Sequence, residues 1–233
     1  MEKNQKQFLS ERAYQYIKEE IDTCLLGPGQ IIVQSDLADK YGLGVTPVRE
    51  ALRKLALEGY VLSVPRLGYQ VCQITLQDIL EIYEMRIVLE SAAVRLATKR
   101  ASASQLQEIA TLANFTYIYK KRNSYIDFLR HNAQFHLSIV AASGNQRLVY
   151  QVDRTLEELH RIFHLGLDLR DSAEEMRVDH ITLSNALNNR DGDLAEAIIK
   201  TEIECSRERV LEALQKFQKS LVTPMLSQRS FDR

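Results

Sequence analysis

The sequence predicts a mainly α-helical protein, in which a small N-terminal unit of helices and a β-hairpin precedes an all-α helical bundle. Two short β-rich segments, residues 60–64 and 68–72, lie on either side of a turn and indicate the hairpin. From Thr75 onward, apolar residues recur at helical spacing almost without interruption. The predicted boundaries are residues 1–73 for the first unit, 74–220 for the second and 221–233 for a weakly ordered tail.

The N-terminal helices are placed by their start and stop signals. Apolar spacing predicts the first helix from about Glu11 to Cys24, where a Gly-Pro-Gly turn follows. Ser35 stands where the N-cap of the second helix is expected. The third helix is expected to begin between Gly44 and Thr46, because the proline that follows is tolerated in a first turn. Three helices and a hairpin in this order form a winged helix-turn-helix.

The third helix combines a basic face with an apolar stripe formed by Val48, Ala51, Leu52 and Leu55. Arg49 and Arg53 are four residues apart and share one face, and Arg66 lies in the hairpin turn. Exposed arginines near a helix start can contact guanine edges in a major groove, and a basic hairpin can reach a minor groove or phosphates. Taken alone, such arginines more often pair with an acid, here Glu50 or Glu58. The helix-turn and the hairpin favour the DNA-binding interpretation.

Composition and charge narrow the class of protein. The net charge of −1 gives no overall attraction to nucleic acid, but five basic against two acidic residues leave a local excess of three positive charges between residues 40 and 66. Firm DNA binding would therefore need two copies. No apolar run suits a membrane span or a secretory signal, so we expect a cytoplasmic protein with no membrane partner. The three cysteines are scattered, without a CxxC pair, which predicts neither a disulfide framework nor a zinc finger.

The second unit is expected to contain six or seven helices. No fixed-period repeat is evident, which argues against a solenoid. The breaks between helices are predicted near residues 100–102, 121–123, 143–145, 168–172 and 190–192.

The two units together resemble a known family. Residues 9–72 resemble the winged helix of GntR-family bacterial transcription regulators, above all in Pro47-Val48-Arg49-Glu50-Ala51-Leu52, Leu55, Glu58-Gly59 and Gly68. The remainder resembles the FCD effector domain of the FadR-like branch, in Tyr83-Glu84-Met85-Arg86, Leu89-Glu90, Phe135-His136, Ala142-Ser143-Gly144-Asn145 and Asp179-His180. The resemblance implies a homodimeric, ligand-responsive regulator that binds double-stranded DNA at a palindromic operator. Repression released by a small carboxylate is the expected mode, with activation as the alternative.

The resemblance also implies the residues that contact DNA, which are Thr46, Arg49, Arg53, Arg66 and Gly68. Arg49 is expected to read a base, Thr46 and Arg53 to lie nearer phosphates, and Arg66 to reach the minor groove. The family usually has a serine where Gly44 stands and an arginine where Val45 stands. Because one potential donor is missing, the operator is expected to differ from the usual half-site.

The FCD resemblance implies a metal site with two exchanged ligands. Metal-binding members have an aspartate where Asn132 stands and histidines at the positions of His136, His180 and Glu202. Two imidazoles, a carboxylate and an amide oxygen can still hold Zn²⁺, Ni²⁺ or Mn²⁺, and the exchanges leave the ligand charge unchanged. The alternative is a cavity with interior histidines that binds an organic effector without metal. In both cases we expect these four residues to contact the effector.

Arg86 matches a family arginine near the ligand cavity. Its guanidinium could fork onto the carboxylate of an organic acid, and the alternative of equal weight is an ion pair with Glu90 at the i+4 position. His160 and His164 are either effector contacts or a helix-surface pair, and His131 is expected to lie outside the set.

Two other functions fit parts of the sequence. A metal-dependent enzyme could use His136, His180 and Glu202 with a bound water as nucleophile, but no general base, oxyanion donor or nucleophile motif accompanies them. A DNA-binding scaffold would have a purely dimerising helical unit, and no metabolite or divalent ion would change its melting temperature.

Overall fold

The computed structural model describes the main chain of residues 2–167 and 170–227, and side chains throughout this part except at residues 2–6, 122, 165, 213–214 and 216–227. The described part contains nine α-helices and three short β-strands. After Thr75 the chain divides into two compact units, two residues beyond the boundary predicted at residue 73.

The first unit is a winged helix-turn-helix, as the sequence predicts. Its elements are α1 (Glu2–Asp22), β1 (Ile31–Ile32), α2 (Gln34–Tyr41), α3 (Val45–Leu57), β2 (Val61–Val64) and β3 (Gly68–Val71). The strands form one antiparallel sheet in the order β1-β3-β2. The predicted apolar stripe of α3 is buried, and α1 packs along α3 with Ile17 and Ile21 in the same core.

Three helix ends in this unit differ from the prediction. α1 begins at Glu2 rather than near Glu11, since the preceding residues are mostly good helix formers that carry no apolar periodicity to signal a helix. It ends before Cys24, which adopts a positive φ of 56°. α2 begins at Gln34, so Ser35 lies inside the helix and bonds Asp36 Oδ1 at 3.2 Å instead of capping it.

The second unit contains six helices in its described part, which is within the predicted number. They are α4 (Leu76–Arg100), α5 (Ala103–Leu112), α6 (Arg122–Ala142), α7 (Gln146–Leu167), α8 (Ala173–Asn188) and α9 (Gly192–Ser227). α4 packs against α6, α7 and α9, and α8 packs against α5 and α9. Side chains from α4, α6, α8 and α9 therefore meet in the interior of this unit.

Specific polar contacts fix the helix ends at the predicted breaks. Ser102 caps α5 and forms a reciprocal capping box with Gln105. Arg190, with a positive φ of 58°, donates to the carbonyl oxygens of Thr98 at 3.0 Å and Ala101 at 2.6 Å. These bonds supply donors to the C-terminal end of α4, where helical carbonyls lack intrahelical partners.

The connection between α5 and α6 is longer than predicted. Residues 113–121 are not helical, whereas the sequence predicts a break only near residues 121–123. Phe115 and Tyr117 pack from this segment onto Phe128 of α6, with ring centroids 5.2 and 4.6 Å apart, respectively. The irregular backbone lets closely spaced aromatic side chains enter one cluster.

The C-terminal helix extends further than predicted. α9 continues to Ser227, whereas the sequence predicts a tail from residue 221. The last residues of the predicted tail, Ser230 to Arg233, lie outside the described part. Among the described helices, none combines the length and apolar character that crossing a bilayer requires.

Candidate nucleic-acid interface and metal centre

Helix α3 presents its predicted polar residues to solvent. Gly44 is the extended N-cap residue, and Pro47 is buried in the first turn. Because the apolar stripe faces α1, Thr46, Arg49 and Arg53 lie on the exposed side of the helix. The two arginines are four residues apart and so share one exposed face.

The acids that could have neutralised these arginines are bound elsewhere. Glu50 accepts a hydrogen bond from Ser10 Oγ at 2.6 Å, and Glu58 accepts one from Tyr14 Oη at 2.8 Å, both from α1. Among the described residues, neither Arg49 nor Arg53 forms an ion pair or hydrogen bond. The ion pairs weighed as the alternative are therefore not formed there, and the guanidinium groups remain open to an external anion.

The wing carries Arg66 at its exposed tip. Arg66 has a positive φ of 66°, a left-handed conformation that is unfavourable for residues other than glycine. Gly68, at the start of β3, has a φ of 105°, and a Cβ atom there would lie 2.6 Å from the carbonyl oxygen of Ile32. The close approach of β1 thus gives Gly68 a structural role, while its contact with DNA stays a prediction.

Three of the four predicted metal ligands form one buried cluster. His136 of α6, His180 of α8 and Glu202 of α9 offer ligand atoms within 4.8 Å of one another. Glu202 Oε1 lies 3.2 Å from His136 Nε2 and 3.1 Å from His180 Nε2. Metal–ligand bonds of about 2.0–2.1 Å place neighbouring ligand atoms about 3.0–3.4 Å apart. These two separations are compatible with ligands around one cation, and they are equally the distances of the hydrogen bonds that the cluster forms without one.

Unpaired buried oxygens support the fit to a cation. Asn132, one turn before His136 on α6, is 4% exposed, and its Oδ1 atom has no hydrogen-bond partner among the described residues. The same is true of Glu202 Oε2 in the part of the chain described. Buried oxygens without donors are costly, and a divalent cation satisfies them. The donor set, two imidazoles with carboxylate and amide oxygens, fits Zn²⁺, Ni²⁺ or Mn²⁺.

Arg86 and Glu90 of α4 extend the cluster. Arg86 Nε donates to Glu90 Oε1 at 2.6 Å, and both side chains are 2% exposed. The other oxygen of Glu90 lies 2.8 Å from His136 Nδ1. The alternative interpretation of Arg86, an i,i+4 ion pair, is thus present in the structure. Sequence reasoning named Glu90 as that partner and as part of the FCD motif, and it missed the contact of Glu90 with His136.

The charges of this cluster stabilise one another. Burial disfavours the charged form of His136, but Glu90 and Glu202 outweigh it and raise the pKa of His136 to about 9. Burial raises the pKa of Glu90, whereas Arg86 and His136 together lower it to about 2. Opposed by the same burial, His180 and His136 hold the pKa of Glu202 well below its usual value. Without metal the cluster is therefore a network of alternating charges.

The histidines outside the metal cluster differ in their burial. His164 is 4% exposed and its ring centroid lies 5.8 Å from that of Tyr125, so a helix-surface pair with His160 is the wrong description for it. His131 is exposed and bonds the carbonyl oxygen of Asp127, outside the metal cluster as expected.

Comparison with known families matches both units. The family described as "FCD domain" matches residues 81–204, more than half of the chain, and "Bacterial regulatory proteins, gntR family" matches residues 9–71. The chain belongs to the GntR family of regulators and carries an FCD domain. The first match covers the metal cluster, and the second covers the winged helix-turn-helix.

This GntR-family chain aligns with known transcription regulators over most of its own length and most of theirs. The Nta operon transcriptional regulator of Aminobacter aminovorans is 28% identical and aligns with 80% of this chain and 87% of its own. The HTH-type transcriptional repressor GlaR of Escherichia coli is 29% identical and aligns with 82% of this chain and 90% of its own. The repressor RspR of the same organism is 23% identical and aligns with 91% of this chain and 93% of its own. The chain is therefore a transcription regulator, and the metal-dependent enzyme finds no support.

Solved structures show the same fold. Escherichia coli McbR/YncC superposes with a TM-score of 0.67 at 21% identity, over 90% of this chain and 98% of that one. A GntR regulator from Rhodococcus sp. RHA1 gives 0.66 at 21% identity, over 88% and 98%.

Proposed function

We propose that this GntR-family regulator acts in the cytoplasm as a homodimeric repressor that a small carboxylate releases from a palindromic operator. The observation that carries the proposal is the pair Arg49 and Arg53, exposed on α3 while their neighbouring acids bind α1. Guanidinium groups left without an internal partner are suited to bases and phosphates.

Each protomer would contribute the same set of DNA contacts. Arg49 forks onto a guanine edge in the major groove, Thr46 and Arg53 contact phosphates, and Arg66 reaches the minor groove from the wing. Two protomers double the local positive excess of three charges, which compensates for a net charge of −1 per chain. The two-fold symmetry of the dimer implies a palindromic operator.

The FCD unit would hold a divalent cation with His136, His180, Glu202 and Asn132. When bound, the cation supplies a Lewis acid to which a carboxylate can coordinate. Glu90 places a carboxylate oxygen 2.8 Å from Nδ1 of His136, and Arg86 pairs with Glu90, so both would act as positioning residues. The effector changes DNA binding only if it prefers one of two dimer arrangements.

Operator binding tests the proposal directly. We would select duplexes from a randomised pool with the full-length protein and measure their affinity by gel shift at low salt. Arg49→Glu should weaken binding about 100-fold or more, because it replaces a base contact with a carboxylate that the phosphates of the duplex repel. Arg95→Glu is the matched control, since it makes the same change of charge in the second unit, where Arg95 pairs with Asp193 at 2.7 Å. An Arg49→Glu protein with the affinity of the unmodified one would refute the proposed interface.

A further inference from the structure

Val45 is an exposed apolar residue at the first position of α3. It is 41% exposed, whereas the apolar residues Val48, Leu52 and Leu55 of the same helix are 0% exposed. Gly44, the extended N-cap residue before it, contributes no side chain that could cover it. The two methyl groups of Val45 are therefore accessible to an external surface.

Val45 lies on the same side of α3 as the arginines of the proposed DNA interface. Val45, Arg49 and Arg53 are spaced four residues apart and are all exposed, so they occupy successive turns along one ridge. Four residues advance about 6 Å along a helix, and successive base pairs of a duplex are about 3.4 Å apart. When Arg49 contacts a base, the methyl groups of Val45 reach base edges within about two base pairs of it.

A valine at this place contacts a different chemical group from an arginine. Its side chain has no hydrogen-bond donor or acceptor, and the apolar group that base edges present in the major groove is the C5-methyl of thymine. Valine in a helix strongly prefers one χ1 rotamer, so its methyl groups lose little conformational freedom when they bind. Val45 is therefore suited to select a base by an apolar contact that involves no charge.

A second exposed apolar residue of α3 shows why position along the helix matters. Leu57 is 91% exposed, but it is the last residue of α3 and lies about 18 Å from Val45 along the axis. Recognition helices contact base edges mainly with their N-terminal residues. Val45 thus lies in the part of the helix that reads bases, and Leu57 lies outside it.

We propose that Val45 selects thymine at one position of each operator half-site, within about two base pairs of the base that Arg49 contacts. The contact joins the methyl groups of Val45 to the C5-methyl of the thymine. The inference rests on the proposed function, since it requires α3 to lie in the major groove. It adds a base preference that comes from a side chain without hydrogen-bonding groups and that salt does not screen.

The experiment uses the full-length protein and a duplex selected from a randomised pool. Each thymine is replaced singly by deoxyuridine, which lacks only the C5-methyl, and the affinity is measured by gel shift. One thymine in each half-site should show a loss of about fourfold, as expected when one apolar group is no longer buried, and replacing both should cost about 16-fold. At the same position, 5-methylcytosine should bind better than cytosine, because it restores the methyl group.

Protein variants assign this methyl effect to Val45. Val45→Ala should bind the thymine and deoxyuridine duplexes about equally, because its shorter side chain no longer reaches the base. Leu57→Ala is the matched control and should keep the fourfold difference, as the unmodified protein does. Arg49→Ala locates the base that Arg49 contacts, since substitutions of that base pair should no longer matter to this variant. The methyl effect should be the same at two salt concentrations, because no charge changes.

The outcomes separate this inference from the proposed function. Equal affinity for thymine and deoxyuridine at every position would overturn the inference, and so would a methyl effect that persists in Val45→Ala. A methyl-sensitive thymine far from the base that Arg49 contacts would also overturn it. In each of these cases the protein still binds its operator, so the proposed function stands. A protein that selects no duplex would overturn the proposed function and this inference with it.

Discussion

At the scale of single residues, Arg66 combines an unfavourable backbone conformation with an exposed charge. Its φ of 66° lies in the left-handed region, which costs an ordinary residue about 1 kcal/mol. Glycine would adopt this turn without that cost, yet the chain has a guanidinium there. Backbone strain retained at an exposed basic residue is consistent with a role in binding.

Arg66→Gly should therefore separate stability from binding. We expect the winged unit to gain up to about 1 kcal/mol of unfolding free energy while operator affinity falls, because strain and charge are removed together. Arg66→Ala is the control, since it removes the charge and keeps the strain. Calorimetric melting and gel shifts check both quantities. Equal stability of the two variants, or affinity unchanged in both, would contradict this account.

The residues of the metal cluster show how far sequence reasoning reaches. Asn132, His136, His180 and Glu202 could be chosen because family resemblance supplies positions that are far apart in the chain. The contact between Glu90 and His136 could not, because it depends on how α4 packs against α6. An arginine and a glutamate four residues apart in a helix could equally form an exposed ion pair, so their spacing does not indicate that Arg86 and Glu90 are buried.

At the scale of elements, periodicity predicts helices better than it predicts their ends. The buried stripe of α3 repeats at helical spacing, so its position and its exposed face followed from the sequence. The first turns of α1 are polar and carry no such signal. The segment 113–121 depends on aromatic packing against α6, a tertiary effect that local patterns do not contain.

A cation held by α6, α8 and α9 should stabilise the second unit as a whole. At Zn²⁺ or Mn²⁺ concentrations about 100-fold above the dissociation constant, binding to the folded state adds about 2.7 kcal/mol. For a unit of this size the melting temperature should rise by about 5–10 °C. His180→Gln should remove the rise, and His131→Gln, on the exposed side of α6, should keep it.

Removing the cation with a chelator should reverse the rise in melting temperature. This result would exclude a non-specific effect of salt. If no divalent ion changes the melting temperature of the unmodified protein, the cluster is a structural network of charges. An effector cavity without metal, or a scaffold without effector, would then describe the unit better.

At the scale of the whole molecule, DNA binding depends on a few local charges. The chain has a net charge of −1, so phosphate contacts must come from residues such as Arg53 that face outward. Each phosphate contact contributes about 0.9 to the slope of log affinity against log salt concentration. The slope therefore measures the number of phosphate contacts. In a dimer, each contacting residue contributes two of them.

Arg53→Gln should make this slope shallower by about 1.8, because a dimer loses two phosphate contacts. A change of about 0.9 would indicate that one protomer binds alone. Arg95→Gln is the control, since Arg95 lies in the second unit and pairs with Asp193 at 2.7 Å. Gel-shift titrations over a range of salt concentrations provide the measurement.

The bonds from Ser10 and Tyr14 to Glu50 and Glu58 have a genetic consequence. Substitutions that delete either hydroxyl remove one hydrogen bond from a carboxylate on or at the end of α3, so that this carboxylate can compete more strongly with the phosphates of the duplex for the arginines. A screen for constitutive expression of the controlled genes should thus recover alleles in the first helix, at codons whose side chains never touch nucleic acid. Such alleles would weaken occupancy of the promoter without unfolding the protein.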